Sequence, residues 1–171
     1  MSAEAPRRGA YRRCVGIALF NAQGLVFVGR RANETLREHS MPGHEWQMPQ
    51  GGIDAGETPL AAARRELAEE TGVSAATLLG EARAWFTYDL PVDVSKSAWK
   101  GRYCGQTQKW FAFRFDGADS AVNILNPPGG HKAEFAAWRW ERLARLPELI
   151  IPFKRGVYEQ VVAEFGGFAA S

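Results

Sequence analysis

The polar pair Arg12-Arg13 gives way to the apolar run Val15-Gly-Ile-Ala-Leu-Phe20. That pattern predicts a strand over Tyr11–Phe20, buried on both faces at its centre. Asn21-Ala-Gln-Gly24 is a turn and Leu25-Val-Phe-Val28 a second strand, so the pair predicts a hairpin. Residues 29–45 are polar, contain Pro42 and Gly43, and predict a loop. Trp46 to Pro49 predicts a short strand before a glycine-rich loop, residues 50–56. The pattern then changes. Leu60 to Thr71 is rich in Ala, Leu, Arg and Glu, all strong helix formers. Thr58 stands as its N-cap, Pro59 at a tolerated first-turn position, and Gly72 where a helix stops. Further strands are predicted at Ala82–Tyr88, Gln108–Phe115 and Phe135–Trp140. A final helix, about Phe153 to Phe165, places Val157, Val161 and Phe165 on one face by their four-residue spacing. Clustered strands with one central and one terminal helix predict an α+β fold. Residues 1–10 form a loose basic lead-in and 11–171 a single domain.

Composition excludes several classes. A chain of 171 residues, 46% hydrophobic and 23% charged, is ordinary for one globular domain and unlike a disordered chain. It is long enough to bury a core without disulfide staples. Cys14 and Cys104 are too few for a disulfide scaffold and have no CxxC spacing for zinc. The net charge of +2 does not by itself mark a nucleic-acid binder. The run Val15–Phe20 is six residues, far short of the roughly 20 of a membrane span and shorter than a signal-peptide core. The expectation is a soluble, cytoplasmic protein of a reducing compartment.

The chemistry lies on the central helix. Glu66, Glu69 and Glu70 are spaced i, i+3 and i+4, within an arc of roughly 100° on one face. Like charges at this spacing destabilise a helix by ~0.2–0.5 kcal/mol per pair, and the macrodipole disfavours anions near the C-terminus. A bound divalent cation removes both objections, and oxygen ligands suit Mg²⁺ or Mn²⁺. Without a cation the same pattern is a solvated acidic face. The preceding Gly51-Gly-Ile-Asp-Ala-Gly56 lets the backbone turn tightly and approach a ligand. Glu57 and Arg65 stand at the two sides of the loop-to-helix junction, where an ion pair would pin loop to helix.

Gly51, Glu57 and Arg65-Glu66-Leu67-Ala68-Glu69-Glu70-Thr71-Gly72-Val73 resemble the Nudix box at all nine of its specified positions, over twenty-three residues. The resemblance implies a Nudix α/β/α sandwich with a mixed central sheet, and Mg²⁺-dependent hydrolysis of a nucleoside diphosphate linked to another group. Mn²⁺ or another divalent metal would substitute. By position it implies Glu66, Glu69 and Glu70 as metal ligands, with Glu69 or Glu70 as base and a backbone carbonyl of Gln50 or Gly51 completing the shell. Glu57 and Arg65 are the structural pair.

Residues 51–75 carry five acids and two bases, whereas 96–114 carry Lys96, Lys100, Arg102, Lys109 and Arg114 and no acid. An acidic metal site beside a basic, aromatic segment suits a metal–polyphosphate substrate; an ordinary solvated strand–loop region has the same composition. Segments such as Trp46–Ile53, Gly105–Phe111, Glu134–Trp140 and Pro152–Tyr158 resemble the RNA pyrophosphohydrolase and diadenosine polyphosphate hydrolase branch of the family. That resemblance runs from about residue 11 to 166. It implies Glu134 as a metal ligand or base from outside the box, and Arg12, Arg31, Gln108, Lys109 and Lys154 as phosphate contacts. Tyr88 and Phe153 carry over as faces for base stacking. The implied partner is a nucleotide or dinucleotide polyphosphate, or the 5′ end of RNA, with neither DNA nor a membrane among the partners. Asn126–Gly130 is a loop that would let Glu134 swing inward, and His39, His44 and His131 read as solvated loop residues. The alternatives are a housecleaning nucleoside triphosphate pyrophosphatase and an inactive nucleotide sensor; the intact set of box glutamates weighs against the sensor.

Overall fold

Residues 9–32, 41–97, 102–125 and 132–170 are described by the computed structural model. In chain order its principal elements are β1 (Ala10–Phe20), β2 (Val26–Arg31), β3 (Trp46–Gln47), β4 (Gln50–Gly52), α1 (Pro59–Thr71), β5 (Ala76–Glu81), β6 (Phe86–Asp89), α2 (Val92–Ser97), β7 (Tyr103–Phe115), β8 (Phe135–Glu141), α3 (Leu146–Leu149) and α4 (Arg155–Phe165). The strands form one mixed sheet. β1 pairs in parallel with β7 along its whole length, and the other pairings are antiparallel.

Side-chain alternation on the two central strands builds two cores. Val15, Ile17 and Leu19 of β1 and Phe111, Phe113 and Phe115 of β7 pack with Ala62, Ala63 and Leu67 of α1. Ala18 and Phe20 of β1 and Trp110 and Ala112 of β7 pack with Val157, Tyr158, Val161 and Phe165 of α4. Helix, sheet and helix are therefore stacked as the α/β/α arrangement requires. α1 begins where expected, with Thr58 Oγ1 accepting from Ala61 N–H at 3.2 Å. It ends at Gly72, whose φ of 72° is left-handed backbone that glycine adopts without strain.

One irregularity in the sheet positions the site. β1 pairs with β2 at Phe20 but with β4 through Cys14–Gly16. The Ile17 N–H, between those regions, donates to the Pro49 carbonyl at 2.9 Å. The sheet thus forks, and the carboxylates of α1 meet side chains from both branches at the fork.

Several elements differ from the sequence pattern. β2 runs on to Arg31 because β8 and β3 both pair with it there, so polar residues are held in a ladder. The glycine-rich loop starts as a strand, since Gln50–Gly52 pairs with β1. Of the strand expected at Ala82–Tyr88 only the second half forms, as β6 at Phe86–Asp89; β5, at Ala76–Glu81, was not expected, since it carries no alternating pattern and exists because β7 supplies its hydrogen bonds. β7 begins five residues before Gln108, and α2 lies at Val92–Ser97, between the strands expected at Ala82–Tyr88 and Gln108–Phe115. Pro152–Lys154 is a 3₁₀ turn that precedes α4. Among the described residues no helix is long and apolar enough to cross a membrane. The lead-in residues 1–8, the loop 126–130, Lys100, His39 and His131 lie outside the described residues.

Candidate active site

The loop before α1 is fastened to the helix through Arg65. Its Nε donates to Glu57 Oε2 at 2.8 Å, and its Nη2 donates to Glu57 Oε1 at 2.9 Å and to the Gly52 carbonyl at 2.8 Å. Glu57 Oε1 also accepts from the Asp54 N–H at 3.0 Å. Arg65 holds the Glu57 carboxyl well below its ordinary range, at about 2, and the expected structural pair is present as a two-pronged contact.

The other face of this anchor is the acidic cluster. Arg65 Nη1 reaches Glu66 Oε1 at 2.8 Å and Glu69 Oε2 at 3.2 Å. Glu66 lies so close to the backbone of β4 that a Cβ at position 51 would stand 2.0 Å from its carboxyl carbon. A larger residue there would push the Glu66 carboxylate away. Burial, against the pull of Arg65, pushes the Glu66 carboxyl up to about 7. Glu70 is 7% exposed, and its Oε2 accepts from the Gln50 N–H at 3.2 Å. Burial, then the charges of Glu134 and Glu66, raise it well above the carboxylate range.

Facing these acids are two cations that burial disfavours. Arg31 Nη2 stands 3.8 Å from Glu134 Oε1, while Arg31 Nε is buried with no acceptor. Burial lowers the pKa of its guanidinium. Lys154, at the end of the 3₁₀ turn before α4, is 6% exposed, with its ammonium 5.5 Å from the Tyr88 ring centroid. Burial, then Arg31, brings it down to about 7. Phe153 is half-buried against Tyr88, ring centroids 5.8 Å apart. Tyr88, expected as a stacking face, is only 6% exposed and belongs to the core that supports Phe153.

The remaining expected residues divide. Arg12 lies over Gly52, where a Cβ would be 2.4 Å from its Nη2, and its charge favours the ionised form of Glu66. Gln108, expected as a phosphate contact, is 1% exposed, and its amide bonds to Gln50, Gln106 and Trp110. Lys109 points to the opposite face of β7; its Nζ donates to the Ala82 carbonyl at 2.5 Å and lies 3.5 Å from Glu81. It is not part of the cluster around Lys154. His44, expected to be solvated, is half-buried, with Nδ1 buried and without a partner. Sequence reasoning passed over Gln106 and Tyr158. The Tyr158 hydroxyl accepts from Met48 N–H at 2.9 Å and so holds the β3–β4 connection. Its place in an amphipathic helix is indistinguishable, in sequence, from that of a core residue.

The donor set suits a hard divalent cation: buried carboxylate oxygens that repel one another, beside a close-approach glycine. Among the described residues no three His, Cys, Asp or Glu side chains already stand together closely enough to hold a metal. Glu66 and Glu69 share Arg65 Nη1 instead. The half-buried guanidinium of Arg31, whose buried Nε–H has no acceptor, is suited to an anion.

Comparisons with known proteins fit this geometry. A family model described as the NUDIX domain matches residues 10–161. The RNA pyrophosphohydrolase of Bradyrhizobium diazoefficiens is 60% identical over 159 residues, covering 93% of this chain and 94% of that protein. The RNA pyrophosphohydrolase of Rhodopseudomonas palustris is 58% identical over 161 residues, 94% of this chain and 95% of that one. Among solved structures, the E. coli dihydroneopterin triphosphate pyrophosphohydrolase has a TM-score of 0.64 at 18% identity, covering 90% of this chain and 98% of its own. The binary complex of the C. elegans Ap4A hydrolase has a TM-score of 0.61 at 17% identity, over 91% and 98%. At such identities these structures speak to the fold alone.

Proposed function

Because the chain belongs to the Nudix family and is a hydrolase of phosphoanhydride bonds, we propose that it removes pyrophosphate from the 5′-triphosphate end of RNA. The observation that carries this reading is the opposition of charges at the fork of the sheet. Glu70, which stands beside Glu66, and Glu134 face the half-buried Arg31 and the buried Lys154, with Phe153 half-buried beside them. A polyphosphate attached to a nucleoside needs all three elements: a cation site, buried positive charge and an aromatic face. The name of the two bacterial relatives supports RNA as the carrier of that polyphosphate.

In the reaction one P–O–P bridge breaks. Water contributes a hydroxyl to one phosphorus and its other proton leaves, giving a 5′-monophosphate and pyrophosphate. Glu66, Glu69 and Glu70, with Glu134 and a carbonyl of Gln50 or Gly51, would hold Mg²⁺ or Mn²⁺. When bound, such a cation supplies neutralisation of phosphate charge and acidifies water. Glu70, held by the Gln50 N–H, is the carboxylate we assign to receive the proton, a contribution of typically ~10²–10⁴-fold. Arg31 and Lys154 screen the phosphates from the carboxylates, and Phe153 stacks on a base.

The test is kcat/KM on 5′-triphosphate RNA, diadenosine tetraphosphate and nucleoside triphosphates with one preparation. RNA is expected to exceed the simple triphosphates by at least about tenfold, with diadenosine tetraphosphate also cleaved. A preference for simple triphosphates would indicate a housecleaning enzyme, and no cleavage of any of the three a sensor. Excess EDTA is expected to abolish turnover and added Mg²⁺ or Mn²⁺ to restore it; undiminished turnover in EDTA would remove the cation from the reading. Phe153→Ala is expected to raise KM with kcat little changed, at a cost of ~1–3 kcal/mol for one lost stack. A lowered melting point with normal KM would make Phe153 a core anchor only.

A further inference from the structure

We propose that Gln108 is a positioning residue, which sets the place of Glu70 through Gln50 and does not touch the substrate. The observation is a hydrogen-bonded line that crosses three strands. Gly16 of β1 lies opposite Gln50 of β4 on one side and Trp110 of β7 on the other. With no side chain at Gly16, the Trp110 indole lies across the strand; a Cβ there would be 2.3 Å from its Cε2. Trp110 is fully buried, and its Nε1–H donates to Gln108 Oε1 at 2.9 Å.

An indole N–H can only donate, so Gln108 must turn its oxygen toward Trp110 and its NH₂ the other way. The two amide protons then reach Gln50 Oε1 at 2.9 Å and Gln106 Oε1 at 2.8 Å. Both donors of Gln108 are therefore in use, and its oxygen, which already accepts from Trp110, has only a lone pair left to offer, which repels phosphate. This distinguishes it from a phosphate contact. Gln50 is held twice, by its side chain through Gln108 and by its backbone N–H on Glu70 Oε2 at 3.2 Å. The side-chain hold fixes where that N–H points. An indole deep in the core thereby determines the position of a carboxylate on the far side of the fork.

The proposal rests on Glu70 being the working carboxylate, and the test separates the two ideas. Gln108→Met keeps length and volume but removes all three hydrogen bonds; Gln50→Ala removes the link at a half-buried position and serves if Gln108→Met does not fold. Three readouts apply. Steady-state kinetics on triphosphorylated RNA are expected to show kcat down about ten- to a hundredfold in either variant, with KM within about twofold. Hydrogen exchange of the residue-50 backbone amide, in metal-free protein, is expected to quicken by about tenfold or more in either variant. The double variant is expected to be no slower than the slower single one, because both changes break one line.

A raised KM with kcat retained would return Gln108 to the substrate and overturn the proposal. So would multiplying effects in the double variant, or a lowered melting point with kcat and residue-50 exchange unchanged. If residue-50 exchange quickens while kcat holds, the line exists but Glu70 is not the working carboxylate.

Discussion

Glu70→Gln is expected to lower kcat by at least about two orders of magnitude, because it removes the carboxylate that takes a proton in the transition state. The same substitution is expected to leave the melting point unchanged or higher. Glu70 is 7% exposed and is raised well above the carboxylate range by burial and by the charges of Glu134 and Glu66. A neutral amide of equal size escapes both penalties and still accepts from the Gln50 N–H. Loss of activity without loss of stability is the signature of a group kept for chemistry at a cost to the fold. The measurements are kcat on triphosphorylated RNA and the thermal midpoint. The assignment is falsified if kcat falls by less than about tenfold; a large fall in the midpoint would instead show that Glu70 supports the fold.

Arg65→Ala is expected to damage both stability and activity. It removes the contacts to Glu57, Glu66, Glu69 and the Gly52 carbonyl at once, so the loop over 52–57 loses its anchor. Arg65 is 27% exposed, which screens its ion pairs in part. A loss of about 2–3 kcal/mol follows from the charged hydrogen bonds, and for a chain of this size that corresponds to roughly 4–12 °C in the midpoint. A fall of about ten- to a hundredfold in kcat accompanies it, since Gly51 and Gly52 shift with the loop. Acid provides an independent check. Glu57 titrates at about 2 in the fold against an ordinary value of 4.5. Its pairing therefore contributes stability in full above about 4.5, and the contribution is lost as pH falls toward 2. Wild type is expected to lose more stability over that window than Arg65→Ala. Equal acid profiles with an unchanged midpoint would show that the pairing holds nothing together.

Helix α1 was legible because its pattern is local. Glu66, Glu69 and Glu70 share a face by helical spacing alone, Thr58 and Gly72 mark the ends by their own backbone preferences, and Glu57 lies within reach of Arg65 across a short loop. β5 was not legible, because Ala76–Glu81 has neither alternation nor a run of strand formers and becomes a strand through β7. Glu134, Arg31 and Lys154 were named by resemblance, yet nothing in their own segments shows that they converge.

Sequence by itself therefore determined the identity of the acids on α1, the helix that carries them and the glycine-rich loop before it, while the packing of Glu66 against Gly51 came from the fold. Tertiary structure decided what each remaining side chain does. It turned Tyr88 into a support for Phe153, gave Lys109 the Ala82 carbonyl and Glu81 as its partners, and made Gln108 a link between Trp110 and Gln50. The physical reason is that period-two alternation tells which residues share a face of a strand, but not what stands across from them. That depends on β1 pairing in parallel with a strand about ninety residues away and on its switch of partner from β2 to β4.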